Sequence, residues 1–442
     1  MTQKEAMEIL KMGHNVFLTG APGSGKTFLL KEYIHFLKSH HISVGVTAST
    51  GIASTHLNGI TIHSWSGIGI KDEIDQKEIR RLLKKEQLKK RLSKTKVLII
   101  DEISMLHAHR LDLVNQVVQE FKSNHFQPFG GIQVVLCGDF FQLPPVSKSG
   151  EPPPYFVNYS NVWKDMNPKI CYLTEQWRQT DKEYLQVLND IRRNSVDDRT
   201  IDLLKKRYQA SINIDIRPTK LYTHNVDVEL ENKKELAKIK AKPHYFFMET
   251  KGPQPLVDFL KQSCLAPEKL ILKVGAPVLF LKNNFNKGYV NGTLGKVIGF
   301  DKYNELPIIK TADGKKIMVM PEDWMFEEEG KVKAKITQLP LRLAWAITVH
   351  KSQGMTLDAV EMDLSKCFEP GMGYVALSRV RSLLGMRLLG MNNLALRINR
   401  EVLEFDKELQ SLSKIAENEI NKISLKERSQ RQEEFLKSSL KK

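Results

Sequence analysis

The chain has 442 residues, 67 lysines and arginines against 51 acids, a formal charge of +16 and a pI near 9.4. At roughly 100–200 residues per domain the length predicts two to four domains, and 41% apolar against 27% charged residues is a globular balance. No apolar run reaches the roughly 18 residues of a membrane span. The opening MTQKEAMEILKMGH has no signal or transit pattern, and four scattered cysteines without a CxxC pair exclude a zinc knuckle or disulfide scaffold.

The first part alternates short apolar runs with helical segments. Residues 15–19 form a strand leading into a glycine-rich turn and a helix over 27–39, and 42–48, 96–100 and 132–137 are further β-rich runs. Short strands apolar throughout, alternating with helices, predict a parallel sheet buried on both faces. A second α/β pattern begins near Cys171, is interrupted over about 236–337 by short strands that include an Asp313-Gly314 hairpin signal, and resumes to about residue 400. Residues 401–442 are polar and helix-prone.

The charge is unevenly spread. Residues 401–442 hold 9 bases and 9 acids, so the whole excess lies upstream, and 71–96 alone carry 11 bases against 5 acids. A polyanionic partner fits the excess, although a charge run by itself is more often an ordinary solvated helix face.

Gly20, Ala21, Pro22, Gly23, Ser24, Gly25, Lys26 and Thr27 match G-x-x-x-x-G-K-[ST], directly after a predicted strand and opening a helix. Glycines let backbone amides curl round an anion, and the helix start adds favourable partial charge. Lys26 would neutralise the β- and γ-phosphates and Thr27 would ligate Mg²⁺. About 75 residues on, Leu98-Ile-Ile-Asp101-Glu102 reads as a buried strand delivering two carboxylates to the sheet edge. Asp101 would hold Mg²⁺ and Glu102 would activate water. Together the two motifs imply ATP and Mg²⁺ chemistry, without saying what the energy drives.

Gly138-Asp-Phe-Phe-Gln142-Leu-Pro-Pro narrows the reading. With Thr47-Ala-Ser-Thr50-Gly51, Gly59-Ile-Thr-Ile-His63-Ser64, Trp177-Arg178-Gln179, Leu221-Tyr-Thr-His-Asn225, Ala346-Ile-Thr-Val-His350-Lys351-Ser-Gln353-Gly354 and Tyr374-Val-Ala-Leu-Ser-Arg379, it resembles the petite-integration-frequency (Pif) helicases of superfamily 1B, relatives of RecD. The strings occur in the family's order across almost the whole chain.

The resemblance implies two RecA-like P-loop motor domains: 1–168, and 169–235 with 338–400. It also implies a basic wedge at about 69–95, an SH3-like β insertion at 236–337 and a charged helical tail at 401–442. Gln3 would read adenine, Gln142 would sense the γ-phosphate, Arg178 and Arg379 would be arginine fingers, and Gln353 and Gly354 would contact nucleotide. Thr47, Thr50, Gly51, His63, Ser64, Asn225, His350 and Lys351 match the family's DNA track, and Trp65 and Phe141 are aromatics available for base stacking. His107 stands where the family often has an acid.

The function implied is an ATP-dependent 5′→3′ DNA helicase serving replication, recombination, repair or telomere-type maintenance. Its partners would be single-stranded DNA and 5′-tailed or forked duplexes. The motor would be monomeric and cytoplasmic, of bacterial or archaeal type, with no membrane association and with the tail as a packing element or protein-partner site. Two alternatives stay open from the residues: a RecD-like nucleotide-switched subunit of a larger complex, and a DNA-stimulated ATPase that remodels nucleoprotein without unwinding.

Overall fold

The computed structural model describes residues 1–69, 71–142, 144–145, 155–177, 181–222, 228–284, 286–328 and 331–440. The chain divides into two compact units, Met1–Trp177 with Glu404–Lys442, and Arg178–Leu403.

The first unit is built on a six-stranded, all-parallel sheet. Its strands are β1 (Val16–Gly20), β2 (Val44–Ala48), β3 (Ile60–Thr61), β4 (Val97–Asp101), β5 (Gln133–Cys137) and β6 (Lys169–Leu173), in the order β3-β2-β4-β5-β1-β6. β1, β4 and β5 are buried along their whole length, as unbroken apolar runs require when helices cover both faces. The helices α1 (Gln3–Lys11), α2 (Lys26–Ser39) and α3 (Gly51–His56) each lead into or out of this sheet.

β6 corrects the expected boundary at residue 168. Val16–Gly20 pairs in parallel register with Lys169–Leu173, so the first domain runs on to Trp177. Which sheet a strand joins depends on its partner, which local sequence does not record.

The basic segment before β4 folds as two short helices, Gln76–Leu83 and Glu86–Lys94. Ile79, Leu82, Leu88 and Leu92 are buried, while Arg80, Arg81, Lys84 and Lys85 face solvent. Arg91 donates to the carbonyls of Ser64 and Trp65, and Asp72 accepts from Arg110 at 2.8 Å, fixing both ends of the segment to the domain.

The second unit has a four-stranded parallel sheet in the order Ala346–Thr348, Thr219–Tyr222, Val360–Leu364, Met386–Met391. Between its halves lies a five-stranded antiparallel sheet from Pro277–Phe280 to Leu341–Leu343, with smaller two- and three-stranded sheets. The expected hairpin is present: Lys310 pairs with Lys316, Gly314 takes φ +89°, and its amide donates to the Thr311 carbonyl. The β insertion extends slightly past residue 337, because Leu341–Leu343 is a strand of the same sheet.

The tail forms two helices, Arg400–Lys422 and Leu425–Leu440, and it packs on the first unit. Ala416 and Ile420 are buried in that unit's core, with Ile423, Phe435 and Leu436 against it. All four cysteines are buried and free. Among the described residues, no helix is long and apolar enough to cross a membrane.

Candidate functional site

β1 ends in Gly20, and the loop to α2 turns through residues no side chain would tolerate. Gly20, Gly23 and Gly25 have φ of +142°, +89° and +87°. A Cβ on Gly20 would meet the Leu173 carbonyl at 2.6 Å, and one on Gly25 would meet the Gln3 amide nitrogen at 2.0 Å. Only glycine fits such left-handed, crowded positions. Pro22 and Ser24 are buried within the loop and Ala21 partly so. The Lys26 ammonium donates to the Gly20 and Ala21 carbonyls at 2.8 and 3.1 Å, and Thr27 is exposed on the first turn of α2.

β4 delivers the two carboxylates. Asp101 is 5% exposed, and its Oδ1 accepts from the Glu102 amide at 2.8 Å. Burial raises its pKa, opposed by a hydrogen bond from the Cys137 thiol, the Glu102 amide and the charges of Lys26 and Lys31. β4 runs parallel to β1 with only β5 between them, so Asp101 and the phosphate loop lie at the same edge of the sheet. Glu102 adopts φ +51° and ψ +46°, a left-handed conformation that costs a non-glycine residue about 1–3 kcal/mol and is concentrated at functional sites.

These residues suit a metal-bound nucleoside triphosphate. Ser24 Oγ is buried with no hydrogen-bond partner, a polar atom left over inside the cradle. Thr27 and Asp101 offer the hard oxygen ligands that Mg²⁺ prefers.

Gln3 opens α1 and reaches the loop, its Nε2 donating to the Ser24 carbonyl at 3.3 Å. Three neighbours carry no role in the sequence reading. Glu175 accepts from the Gln3 amide at 2.9 Å, Gln176 donates to the Pro22 carbonyl at 2.9 Å, and the Trp177 amide donates to the Gly23 carbonyl at 2.9 Å. Trp177 stands in one of the motif strings, and that was the available signal. Lys31 was also missed, although it follows Thr27 by one helical turn on the same face.

Gln142 is buried next to β5, its amide bonded to the Asp139 carbonyl. Thr50 caps α3 by accepting from the Ala53 amide, Gly51 is the helix's first residue, and Ser64 is exposed. His63 Nε2 faces an Arg110 guanidinium nitrogen at 3.1 Å. Burial, with the charges of Arg110 and His107, lowers its pKa to about 4, so the ring is a neutral acceptor at pH 7.

Three expectations fail on burial. The Thr47 side chain is fully buried and its hydroxyl donates to the Ile99 carbonyl at 2.7 Å, so it presents nothing to a phosphate. Trp65 and Phe141 are 2% and 3% exposed, packed in the core and closed to bases.

In the second unit, His350 and Lys351 follow the strand Ala346–Thr348, and Lys351 shares Glu229 with Arg342. Gln353 is buried with no partner for its Nε2, and Gly354 takes φ +74°. This turn runs on to Leu357, whose amide donates to the Arg379 carbonyl, and Arg379 itself is buried. Arg178 and Asn225 lie outside the described residues.

A family model described as PIF1-like helicase matches residues 2–198, and one for the 2B domain of the DNA helicase Pif1 matches residues 256–300. An ATP-dependent DNA helicase Pif1 of Psychrobacter is 44% identical, over 99% of this chain and 75% of the relative. Unliganded Pif1 from Bacteroides superposes with a TM-score of 0.79 at 32% identity, covering 92% of this chain and 96% of that one. The Bacteroides helicase in complex with ADP-AlF3 and ssDNA gives a TM-score of 0.62 at 32% identity, with the same coverage of both chains.

Proposed function

The chain belongs to the PIF1-like helicase family, and we propose that it is an ATP-dependent DNA helicase that moves 5′→3′ on single-stranded DNA and opens 5′-tailed or forked duplexes as a monomeric motor. One observation carries the reading: a glycine-built phosphate loop with the buried Ser24 Oγ left unpartnered inside it opens on the same parallel sheet that ends in the buried Asp101, with Glu102 next to it in a left-handed conformation.

In this reading Lys26 neutralises the β- and γ-phosphates, and Thr27 with Asp101 would hold Mg²⁺, which when bound would supply charge stabilisation to the phosphates. Glu102 accepts the proton of the attacking water, and Gln142 senses the γ-phosphate. Gln3 recognises adenine, Gln353 and Gly354 contact nucleotide, and Arg178 and Arg379 serve as arginine fingers on the family resemblance. Thr50, Gly51, His63, Ser64, Asn225, His350 and Lys351 contact the DNA backbone. Such contacts position the strand without reading its sequence.

The test is strand displacement with Mg-ATP on otherwise identical duplexes bearing a 5′ or a 3′ tail. Opening from the 5′ tail alone is the expected result. Opening from the 3′ tail would reverse the polarity, and ATP hydrolysis without opening of either would reduce the protein to a DNA-stimulated ATPase.

A further inference from the structure

The tail lies against the two elements that frame the nucleotide site, and its contacts are specific. β6 is the edge of the first sheet, and an uncovered edge leaves backbone groups unpaired. The helix Arg400–Lys422 covers that edge: Ser413 Oγ accepts from the Tyr172 amide at 3.0 Å, and Asp406, itself 7% exposed, accepts from the Tyr172 hydroxyl at 3.0 Å. Phe405 packs edge-on against Phe140, two residues before Gln142, at 5.4 Å between ring centroids.

The second tail helix, Leu425–Leu440, engages α1. A helix of nine residues is marginal by itself in water, so the order of α1 depends on what packs against it. α2 lies on one side, through Leu10 and the hydrogen bond from Tyr33 to the Leu10 carbonyl. On the other side Gln432 donates to Glu8 at 2.8 Å, and Asn421, from the first tail helix, donates to Glu5 at 3.1 Å. Glu5 is also the residue that closes the capping box with Thr2, immediately before Gln3.

At the far end of α1 the Phe435 ring sits on Gly13. A Cβ there would lie 2.4 Å from the ring, and Gly13 has φ +80°, so space and backbone both demand glycine.

We infer that the C-terminal helical hairpin is a strap that seats α1, and thereby holds Gln3 against the phosphate loop. Gln432 and Phe435 are thus positioning residues for nucleotide recognition, far along the chain from every nucleotide motif. The strap rests on the proposed role of Gln3 in reading adenine.

The experiment measures kcat and KM for ATP and for GTP in the full-length chain. The variants are Gln3→Ala, Phe435→Ala, Gln432→Ala, the double variant Gln3→Ala/Phe435→Ala, and the conservative Phe435→Leu, with thermal melting recorded for each. The expected result for Phe435→Ala is a KM for ATP raised about 5-fold, the size of one lost hydrogen bond, with little change in kcat. The preference for ATP over GTP should fall toward that of Gln3→Ala, the double variant should be no worse than Gln3→Ala alone, and Phe435→Leu should recover most of the loss.

A Phe435→Ala protein that melts earlier yet keeps its KM and base preference overturns the strap, as do additive effects in the double variant. Should Phe435→Ala fail to fold, Gln432→Ala, which removes one part-buried hydrogen bond, decides by the same readouts. A Gln3→Ala protein with unchanged base preference overturns the adenine reading and the strap together. Absence of ATP hydrolysis in the wild-type chain overturns the proposed function itself.

Discussion

The Ser49 hydroxyl donates a 2.6 Å hydrogen bond to the backbone carbonyl of Glu102, and the Ser49 amide donates to the Asp101 carbonyl at 3.0 Å. Ser49 therefore joins the carboxylate pair at the end of β4 to the stretch in which Thr50 and Gly51 begin α3. A left-handed glutamate needs such external support. The residues proposed to hold a DNA phosphate adjoin the one that supports the proposed base.

This link makes Ser49→Ala informative. Removing one buried hydrogen bond is worth about 1 kcal/mol, or about 5-fold in rate where it acts on the transition state. The expected outcome is a several-fold loss of ATP hydrolysis both with and without DNA, with single-strand affinity little changed. Steady-state ATPase assays with and without oligonucleotide, together with fluorescence anisotropy, check it.

Lys26→Ala and Glu102→Gln should separate binding from chemistry. Lys26→Ala loses nucleotide affinity and hydrolysis but keeps nucleotide-free single-strand affinity, because the proposed DNA contacts are on other elements. Glu102→Gln keeps nucleotide affinity and loses hydrolysis, with the drop falling on kcat. Titration with a fluorescent ATP analogue and phosphate-release kinetics distinguish the two.

The exposed bases Arg80, Arg81, Lys84 and Lys85 lie on and just after the helix Gln76–Leu83, whose apolar face is buried. Replacing all four with glutamine should leave the fold and single-strand ATPase intact while lowering the rate of fork opening. Each lost phosphate contact should reduce the salt slope of fork affinity by about 1. Unchanged opening and an unchanged slope would assign these residues to plain solvation.

Acid should destabilise the first unit in a definite window. Burial lowers the pKa of His56, helped by the Lys31 charge, and that of His63, each from 6.5 to about 4. Between those values the unfolded chain binds protons that the folded chain does not, so stability is full above pH 6.5 and falls as pH drops toward 4. Melting temperatures from pH 7.5 to 4.5 should decline, and His56→Gln/His63→Gln should flatten that decline. Wild-type melting that is flat across this range would show that neither ring is held neutral.

The parts legible in sequence share a local cause. The phosphate loop was readable because its φ values admit only glycine at Gly20, Gly23 and Gly25, and the Asp313-Gly314 hairpin because Gly314 must be left-handed. The strand ending in Asp101 was readable because burial on both faces forces an apolar run. Thr47, Trp65 and Phe141 show where this stops: a hydroxyl or ring of suitable chemistry does not record which way its backbone turns it, and all three face inward.

The +16 charge, the order of the motifs and the residue types at the nucleotide site were determined by sequence alone, since each is a property of composition or of a few consecutive residues. Only the tertiary structure decided that Lys169–Leu173 closes the first sheet, that Ser49 supports Glu102, and that the tail packs along β6 and α1. Those are pairings between groups 53 to 424 residues apart. Their partners are chosen by shape and by the need to satisfy buried donors, and neither is written in the local pattern of either segment.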